Sequence, residues 1–230
     1  PGGIGNLNKL FDLQLQNNNL ELISEGFWDF NNEEEAVSDT STTHIITSIN
    51  LSNNNISTTL PNDITNISSL ITLNLSNNNI YGEIPDNIGN LTNLEYLFLN
   101  SNELIGWLPR SLESMSDLQL FWVGGNRLTG IIPQFIRYLP TYSVYDNLFC
   151  PPYPDSMNIG YQNTSDCIEY VLGNLNSDSE LNIYDIIIGI TLVINNSELT
   201  NYQYWALDID GDGAHDISDL IYLTQLIMHY

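Results

Sequence analysis

Apolar residues recur along the first two-thirds of the chain in one fixed frame that ends on an asparagine. Ile46, Ile49, Leu51, Asn54 and Ile56 form one copy, and Leu70, Leu73, Leu75, Asn78 and Ile80 the next. Leu94, Leu97, Leu99, Asn102 and Leu104 follow, then Leu118, Phe121, Val123, Asn126 and Leu128. These asparagines lie 24 residues apart. An earlier copy holds Leu10, Leu13, Leu15, Asn18 and Leu20. The last, Leu139, Tyr142, Val144, Asn147 and Phe149, is three residues short. A sustained period of this length predicts a solenoid: each repeat buries its apolar face only against its neighbours, and the leucines stack into one continuous core. Each copy predicts one short strand, with the residues between the leucines on the outer, concave face. The return path is expected to be irregular backbone. The asparagines are expected inside the turn, with their amides satisfying backbone groups that a strand ladder leaves unpaired.

The last third has a different rhythm. Helical periodicity is expected over Ile183–Ile194, with Ile186, Ile187, Ile190 and Val193 on one face, and over Ile217–Met228, with Leu220, Ile221, Leu223 and Ile227. A further helix is expected over Glu198–Ala206, starting near Ser197, with Tyr202 and Trp205 inward. Before the last helix runs Asp208-Ile209-Asp210-Gly211-Asp212-Gly213-Ala214-His215-Asp216-Ile217-Ser218-Asp219, with acids at positions 1, 3, 5, 9 and 12 and a glycine at position 6. Ca²⁺ takes about six to eight oxygen ligands, and an EF-hand loop presents them at these spacings, with a backbone carbonyl at position 7, here Ala214. A weaker copy lies 34 residues upstream, with Asn174, Asn176, Asp178, Asn182 and Asp185 at the same positions, Glu180 at position 7 and Ser179 in the glycine's place. Fewer charges imply weaker binding there. Two Ca²⁺ sites are therefore expected, the second loop strong and the first weaker, unless the loops are acidic surface turns.

These patterns resemble two known families. The repeat frame, with Gly82 and Pro85, Gly106 and Pro109, and Gly130 and Pro133 beyond the asparagines, resembles the plant type of leucine-rich repeat. Residues 170–230 resemble a type I dockerin: both loops end in Asp, and the first lacks a helix before it. The resemblance implies an α/β repeat solenoid followed by a small all-α calcium-binding domain. It also implies docking to a cohesin-like partner through loop positions 10 and 11, here Ile183, Tyr184, Ile217 and Ser218. These are not the Ser-Thr pair of many cellulosomal relatives, and the two copies differ. A module that only caps or links the chain is the other reading. The expected division is a solenoid over 1–149, a capped linker over 150–169 and the calcium module over 170–230.

Several features interrupt the repeat. Asn18 to Asn54 is 36 residues, so an insertion near 24–43 is expected as a surface loop carrying Phe27, Trp28, Phe30 and Glu33-Glu34-Glu35. The opening Pro1-Gly2-Gly3-Ile4-Gly5-Asn6-Leu7 matches Pro85–Leu91, so the chain starts in mid-repeat. That predicts a fragment or mature product of a longer protein. Cys150 and Cys167 bracket a proline-rich aromatic loop and are expected to form a disulfide contributing about 3 kcal/mol in the chain-entropy picture; free thiols are the alternative.

Composition narrows the function. Four basic and 28 acidic residues give a net charge of −24, which excludes nucleic-acid binding and disfavours an anionic membrane surface. So few lysines point weakly to a salty setting. No apolar run is long enough to span a bilayer. Seven Asn-x-Ser/Thr sequons are present, at a frequency chance gives in an asparagine-rich chain. His44, His215 and His229 are the histidines, and no Ser-His-Asp order, metalloprotease motif or phosphate loop accompanies them, so no enzyme is expected.

The best ligand surface is the concave face. Asp12 and Gln14, Ser48 and Asn50, and Thr72 and Asn74 are polar. Tyr96 and Phe98, Leu120 and Trp122, and Ser143 and Tyr145 then turn it aromatic. Tyr96, Phe98, Leu120, Trp122 and Tyr145 are expected to meet a protein or a glycan, or to be covered within the chain. The expected function is extracellular protein–protein recognition or scaffolding. Alternatives are a self-assembling filament subunit pairing with another copy of itself, and a cellulosome-type component docking to a cohesin.

Overall fold

The structure is a computed structural model and describes residues 10–23, 26–28, 46–165, 167, 172–176, 180–195, 197–209 and 214–228. The chain divides into two compact units, one of residues 1–149 and 153–165, the other of 150–152 and 166–230. The expected linker at 150–169 is thus shared between them.

Repeat by repeat, the first unit lays down a parallel sheet. Strands β1 (Asp12–Gln14), β2 (Ser48–Asn50), β3 (Thr72–Asn74), β5 (Tyr96–Phe98), β7 (Leu120–Trp122) and β9 (Thr141–Ser143) pair in that order. The central residue of each strand faces the core, and Ile49, Leu73, Leu97 and Phe121 are fully buried. The frame residues on either side, such as Ile46, Leu51, Leu70, Leu75, Leu94 and Leu99, join the same core. β1 pairs directly with β2, Leu13 opposite Ile49, so the insertion between them leaves the register intact.

The asparagines form a ladder of rungs. Asn102 donates from Nδ2 to the carbonyls of Leu75 and Leu99, and its Oδ1 accepts from the Ile80 N–H at 3.0 Å. Asn78, Asn126 and Asn147 repeat this pattern one copy away. Each amide thereby satisfies buried backbone groups of two adjacent repeats, and the burial cost of a polar side chain is offset in full. The residue before each rung turns left-handed: Asn17, Asn53, Asn77, Ser101, Gly125 and Asp146 have φ between 54° and 69°. Asn and Asp tolerate that region better than most residues. The tracts Asn53-Asn54 and Asn77-Asn78 therefore carry two requirements, one turn and one rung.

Three differences from the sequence reading follow from packing. The return path is not irregular: β4 (Tyr81–Glu83), β6 (Glu103–Gly106) and β8 (Arg127–Leu128) form a second parallel sheet. Its register steps by 22 residues, Tyr81 opposite Glu103, so the 24-residue frame does not reveal it. Short 3₁₀ segments, Asn62–Asn66, Ile88–Asn90, Arg110–Ser114 and Gln134–Tyr138, complete the turns. They approach so closely that the Ser111 carbonyl oxygen occupies the place a Cβ on Gly89 would need. The insertion is not wholly a surface loop either. Phe27 and Trp28 are buried in the solenoid core, edge to face at 4.9 Å, because the first repeats offer apolar surface for them to cover. Phe30 and Glu33–Glu35 lie outside the described residues, as do His44 and His229.

A rung hidden from the sequence closes the series. Gln162 accepts from the Phe149 N–H at 3.3 Å and donates to the carbonyls of Val144 and Ile159. These are an asparagine rung's contacts, made by a side chain one methylene longer and only 15 residues beyond Asn147. Nearby, Tyr153 donates to the Phe149 carbonyl at 2.9 Å, and burial raises its phenol pKa. Cys150 and Cys167 are joined by a disulfide.

The second unit holds three helices, α1 (Ile183–Ile194), α2 (Asn201–Leu207) and α3 (Ile217–Met228). α2 starts later than expected because Thr200, not Ser197, forms the cap, in a capping box with Gln203. Leu175, Ala206, Leu207 and Leu223 form the buried core, with Tyr202 and Trp205 packed against it. Gly189 faces α3, where a Cβ would come within 2.7 Å of Leu220 Cδ2. That contact sets the rotation of α1: Ile186, Ile188, Leu192 and Val193 turn inward, while Ile187 and Ile190, expected inside, are exposed. Ile221 of α3 is likewise exposed rather than buried. α1 is apolar all round, so periodicity alone could not choose its inner face.

Candidate functional site

Two sets of residues stand out, one in each unit. On the outer face of the six-stranded sheet, adjacent strands β5 and β7 place Tyr96 opposite Leu120 and Phe98 opposite Trp122. Strand alternation sends all four away from the core. The Phe98 and Trp122 rings meet edge to face, centroids 5.2 Å apart and planes at 88°. Trp122 keeps 37% of its surface exposed. The four predicted residues are thus brought together.

Tyr145 needs correction. The partners of Leu120 and Trp122 on β9 are Thr141 and Ser143, not Ser143 and Tyr145. Tyr145 lies one level further along, where its ring stands about 3.1 Å from the place a Cβ on Gly124 would occupy. It borders the aromatic group, half exposed, instead of continuing its row. The slip came from counting outward from Val144 instead of Tyr142, which moves two residues along the strand on the same face.

In the second unit the two loops share one geometry. Asp185 is fully buried and accepts from the N–H groups of Leu175 at 2.8 Å and Asn182 at 2.9 Å. Asp219, 34 residues on, accepts from Ile209 at 2.8 Å and Asp216 at 2.9 Å. In both loops position 12 binds the backbone of positions 2 and 9. Position 9 also caps the helix that follows: Asn182 accepts from Tyr184 N–H, and Asp216 from Ser218 N–H. At position 1, Asn174 is buried, and its Oδ1 has no hydrogen-bond partner. Asp208 is half-buried; Asn176, Glu180 and Ala214 are exposed. Asp178, Asp210 and Asp212 lie outside the described residues, among which no three acidic, histidine or cysteine side chains gather into a metal-binding cluster.

The electrostatics of this unit are one-sided. Residues 150–230 contain no lysine or arginine, yet Asp185 and Asp219 are buried. A buried carboxylate needs hydrogen bonds and a countercharge, and the backbone supplies only the first. The orphan oxygen of Asn174 adds a neutral ligand of the kind a hard cation takes. The donor set therefore fits Ca²⁺.

The residues predicted for docking are on the surface. Ile183, Tyr184 and Ile217 are each more than half exposed, and Ser218 is exposed. The sequence reading missed how far they extend. Ile183, Ile187, Ile190 and Ile194 make an exposed stripe along α1. Ile217, Ile221 and Met228 repeat it on α3 at equivalent positions. Spacings of three and four residues align such a stripe, and the signal lay in a helix with more isoleucine than its core could take.

The first unit is a leucine-rich repeat solenoid. Residues 46–67, 69–91 and 93–115 match the model of the Leucine Rich Repeat. Solved structures with this fold are similar over most of the chain. The receptor kinase HAESA of Arabidopsis, in complex with the peptide hormone IDA and the co-receptor SERK1, is 31% identical with a TM-score of 0.59; the match covers 69% of this chain and 26% of that one. The ectodomain of the plant membrane receptor kinase GASSHO1/SCHENGEN3 from Arabidopsis thaliana, with CASPARIAN STRIP INTEGRITY FACTOR 2, is 27% identical with a TM-score of 0.58, covering 71% and 19%. The plant peptide hormone receptor RGFR1, with RGF2, is 28% identical with a TM-score of 0.57, covering 67% and 23%. The chain thus spans about a quarter or less of these receptors. Among curated proteins it has no significant match. No helix among the described residues is long and apolar enough to cross a membrane.

Proposed function

We propose that this chain is an extracellular, non-enzymatic recognition protein whose solenoid captures a peptide segment of a protein partner on the outer face of its six-stranded sheet. The observation that carries the reading is the apolar group of half-buried Tyr96, Phe98 and Leu120 around exposed Trp122 on an otherwise polar sheet. Exposed aromatic clusters supply most of the energy at interfaces. The three similar receptors hold peptide or protein ligands, and the Cys150–Cys167 disulfide suits an oxidising compartment. The test is selection of displayed random dodecapeptides on the intact protein, counter-selected on Trp122→Ala. Binders that need Trp122 are expected; their complete absence would sink the reading.

The helical unit is, in this reading, a dockerin-like module that holds two Ca²⁺ ions. Asp208, Asp210, Asp212, the Ala214 carbonyl, Asp216 and Asp219 would bind one. Asn174, Asn176, Asp178, Glu180, Asn182 and Asp185 would bind the other, more weakly. Bound Ca²⁺ would supply the countercharge that Asp185 and Asp219 lack within the unit. The isoleucine stripes favour a docking role through α1 and α3, onto a cohesin-like protein or another copy of the chain. Light-scattering mass in excess Ca²⁺ and then in chelator separates these. A Ca²⁺-dependent assembly supports self-docking. A monomer in both conditions removes it and leaves a separate partner, tested with immobilised cohesin domains.

A further inference from the structure

Resting on the peptide-recognition reading, we infer that the captured segment is cationic: an arginine or lysine side chain seats in the corner formed by Phe98 and Trp122. The corner itself is the first argument. The two rings stand at 88°, 5.2 Å apart, so they form two walls and not one platform. A pyranose stacks on a broad flat face, whereas a cation on a flexible stem inserts against ring faces and is drawn to their negative quadrupoles. Tyr96 and Leu120 lie beside the pair on the same strands, and Tyr145 stands on the neighbouring level beyond Gly124.

Charge is the second argument. Of the four basic residues in the chain, Lys9 lies outside the described residues. The other three are off this sheet: Arg110 and Arg137 lie in 3₁₀ segments, and Arg127 lies in β8, paired with Glu103 at 3.4 Å. The sheet and its margins carry carboxylates instead. Asp12 lies in β1, Glu95 just before β5 and Asp146 just after β9. Glu95 reaches across to the neighbouring strand's start, where Gln119 Nε2 donates to it at 3.2 Å. Among the described residues, a cation approaching this face meets carboxylates and no like charge, while an acidic or phosphorylated segment is repelled by a chain of net charge −24.

The experiment takes the Trp122-dependent dodecapeptides selected on the intact chain and reads their sequences. Arginine or lysine enriched at one fixed position is expected. Replacing that arginine by citrulline should weaken binding at least tenfold at physiological salt. Glu95→Gln, which leaves the rings in place, should weaken it about threefold, and the convex-side variant Asp63→Asn should leave it unchanged. Trp122-dependent peptides with no fixed cation would overturn the inference and leave peptide recognition standing. Absence of any Trp122-dependent peptide overturns both. Basic peptides binding wild type and Trp122→Ala alike would mean bulk charge attraction only, and the inference falls. Cellohexaose shifting the Trp122 indole cross-peak, assigned through Trp122→Phe, while the peptides leave it in place would replace the peptide by a glycan.

Discussion

The two units bury polar groups in opposite ways. In the solenoid the buried polar side chains are neutral amides and hydroxyls, and each asparagine rung matches its donors and acceptors to backbone groups of two repeats. In the helical unit the buried polar groups are the amide of Asn174 and the carboxylates of Asp185 and Asp219, the latter bound to backbone N–H groups in a stretch, 150–230, that contains no lysine or arginine. A satisfied amide closes its own account within the chain; a carboxylate does so only for hydrogen bonding. The asparagine rungs are therefore satisfied within the chain, whereas under the proposed Ca²⁺ reading the second unit would lean on an ion from solution.

The largest expected effect separates them directly. Chelating Ca²⁺ should melt the helical unit and spare the solenoid, giving two calorimetric transitions of which only one moves. At a thousandfold excess over its dissociation constant an ion contributes about 4 kcal/mol per site. A single transition that ignores chelator would break the comparison. Next, Asn102→Ala should cost the solenoid about 3 kcal/mol, because it strands the Ile80 N–H and two buried carbonyls. Urea unfolding followed by tryptophan fluorescence in a Trp205→Phe background, which leaves tryptophans only in the solenoid, reads this, and the Ca²⁺-dependent transition should stay fixed. Smaller in stability, but decisive for docking, is the double change Ile187→Ser with Ile221→Ser. Both side chains are exposed, so stability should shift by no more than about 0.5 kcal/mol, while any Ca²⁺-dependent assembly is lost. The smallest effect is at Tyr153. Its phenol pKa is raised in the folded state, so the associated stability is present below the ordinary phenol range, about 10, and lost as pH rises through the folded value. Tyr153→Phe should flatten that alkaline decline in a stability titration.

How much could be read from the chain alone follows from where each constraint lives. The rungs were legible because one residue must supply a donor and an acceptor at a fixed reach, so asparagine recurs every 24 residues. The starts of α1 and α3 were legible because loop position 12 must also close a helix cap, which ties the loop to the helix. The second sheet was not, since its pairing is set by a backbone register that leaves no side-chain period. Phe27 and Trp28 were expected in a surface loop because their burial depends on surface contributed by distant repeats. The inner face of α1 was decided by Gly189, a residue with no hydropathy signal, through its closeness to Leu220. On the candidate surface, Tyr96, Phe98, Leu120 and Trp122 followed from alternation, while Tyr145 lies one level off because its strand is centred on Tyr142 and not on Val144.

Gln162 has a consequence best put in the language of polymer growth. Each asparagine rung is both a reader of the copy before it and a template for the copy after, so the solenoid is an addition polymer whose growing end is chemically identical at every step. Gln162 reads the copy before it through Val144 and Phe149, yet among the described residues the short segment that carries it adds only an isolated parallel bridge, Gln162 opposite Asn147, and no strand. It behaves as a chain-terminating monomer. Whole repeats spliced in between Asn54 and Asn126 would find both a template and a reader, and the array could lengthen without limit from within. The same repeat joined after Gln162 would find no template.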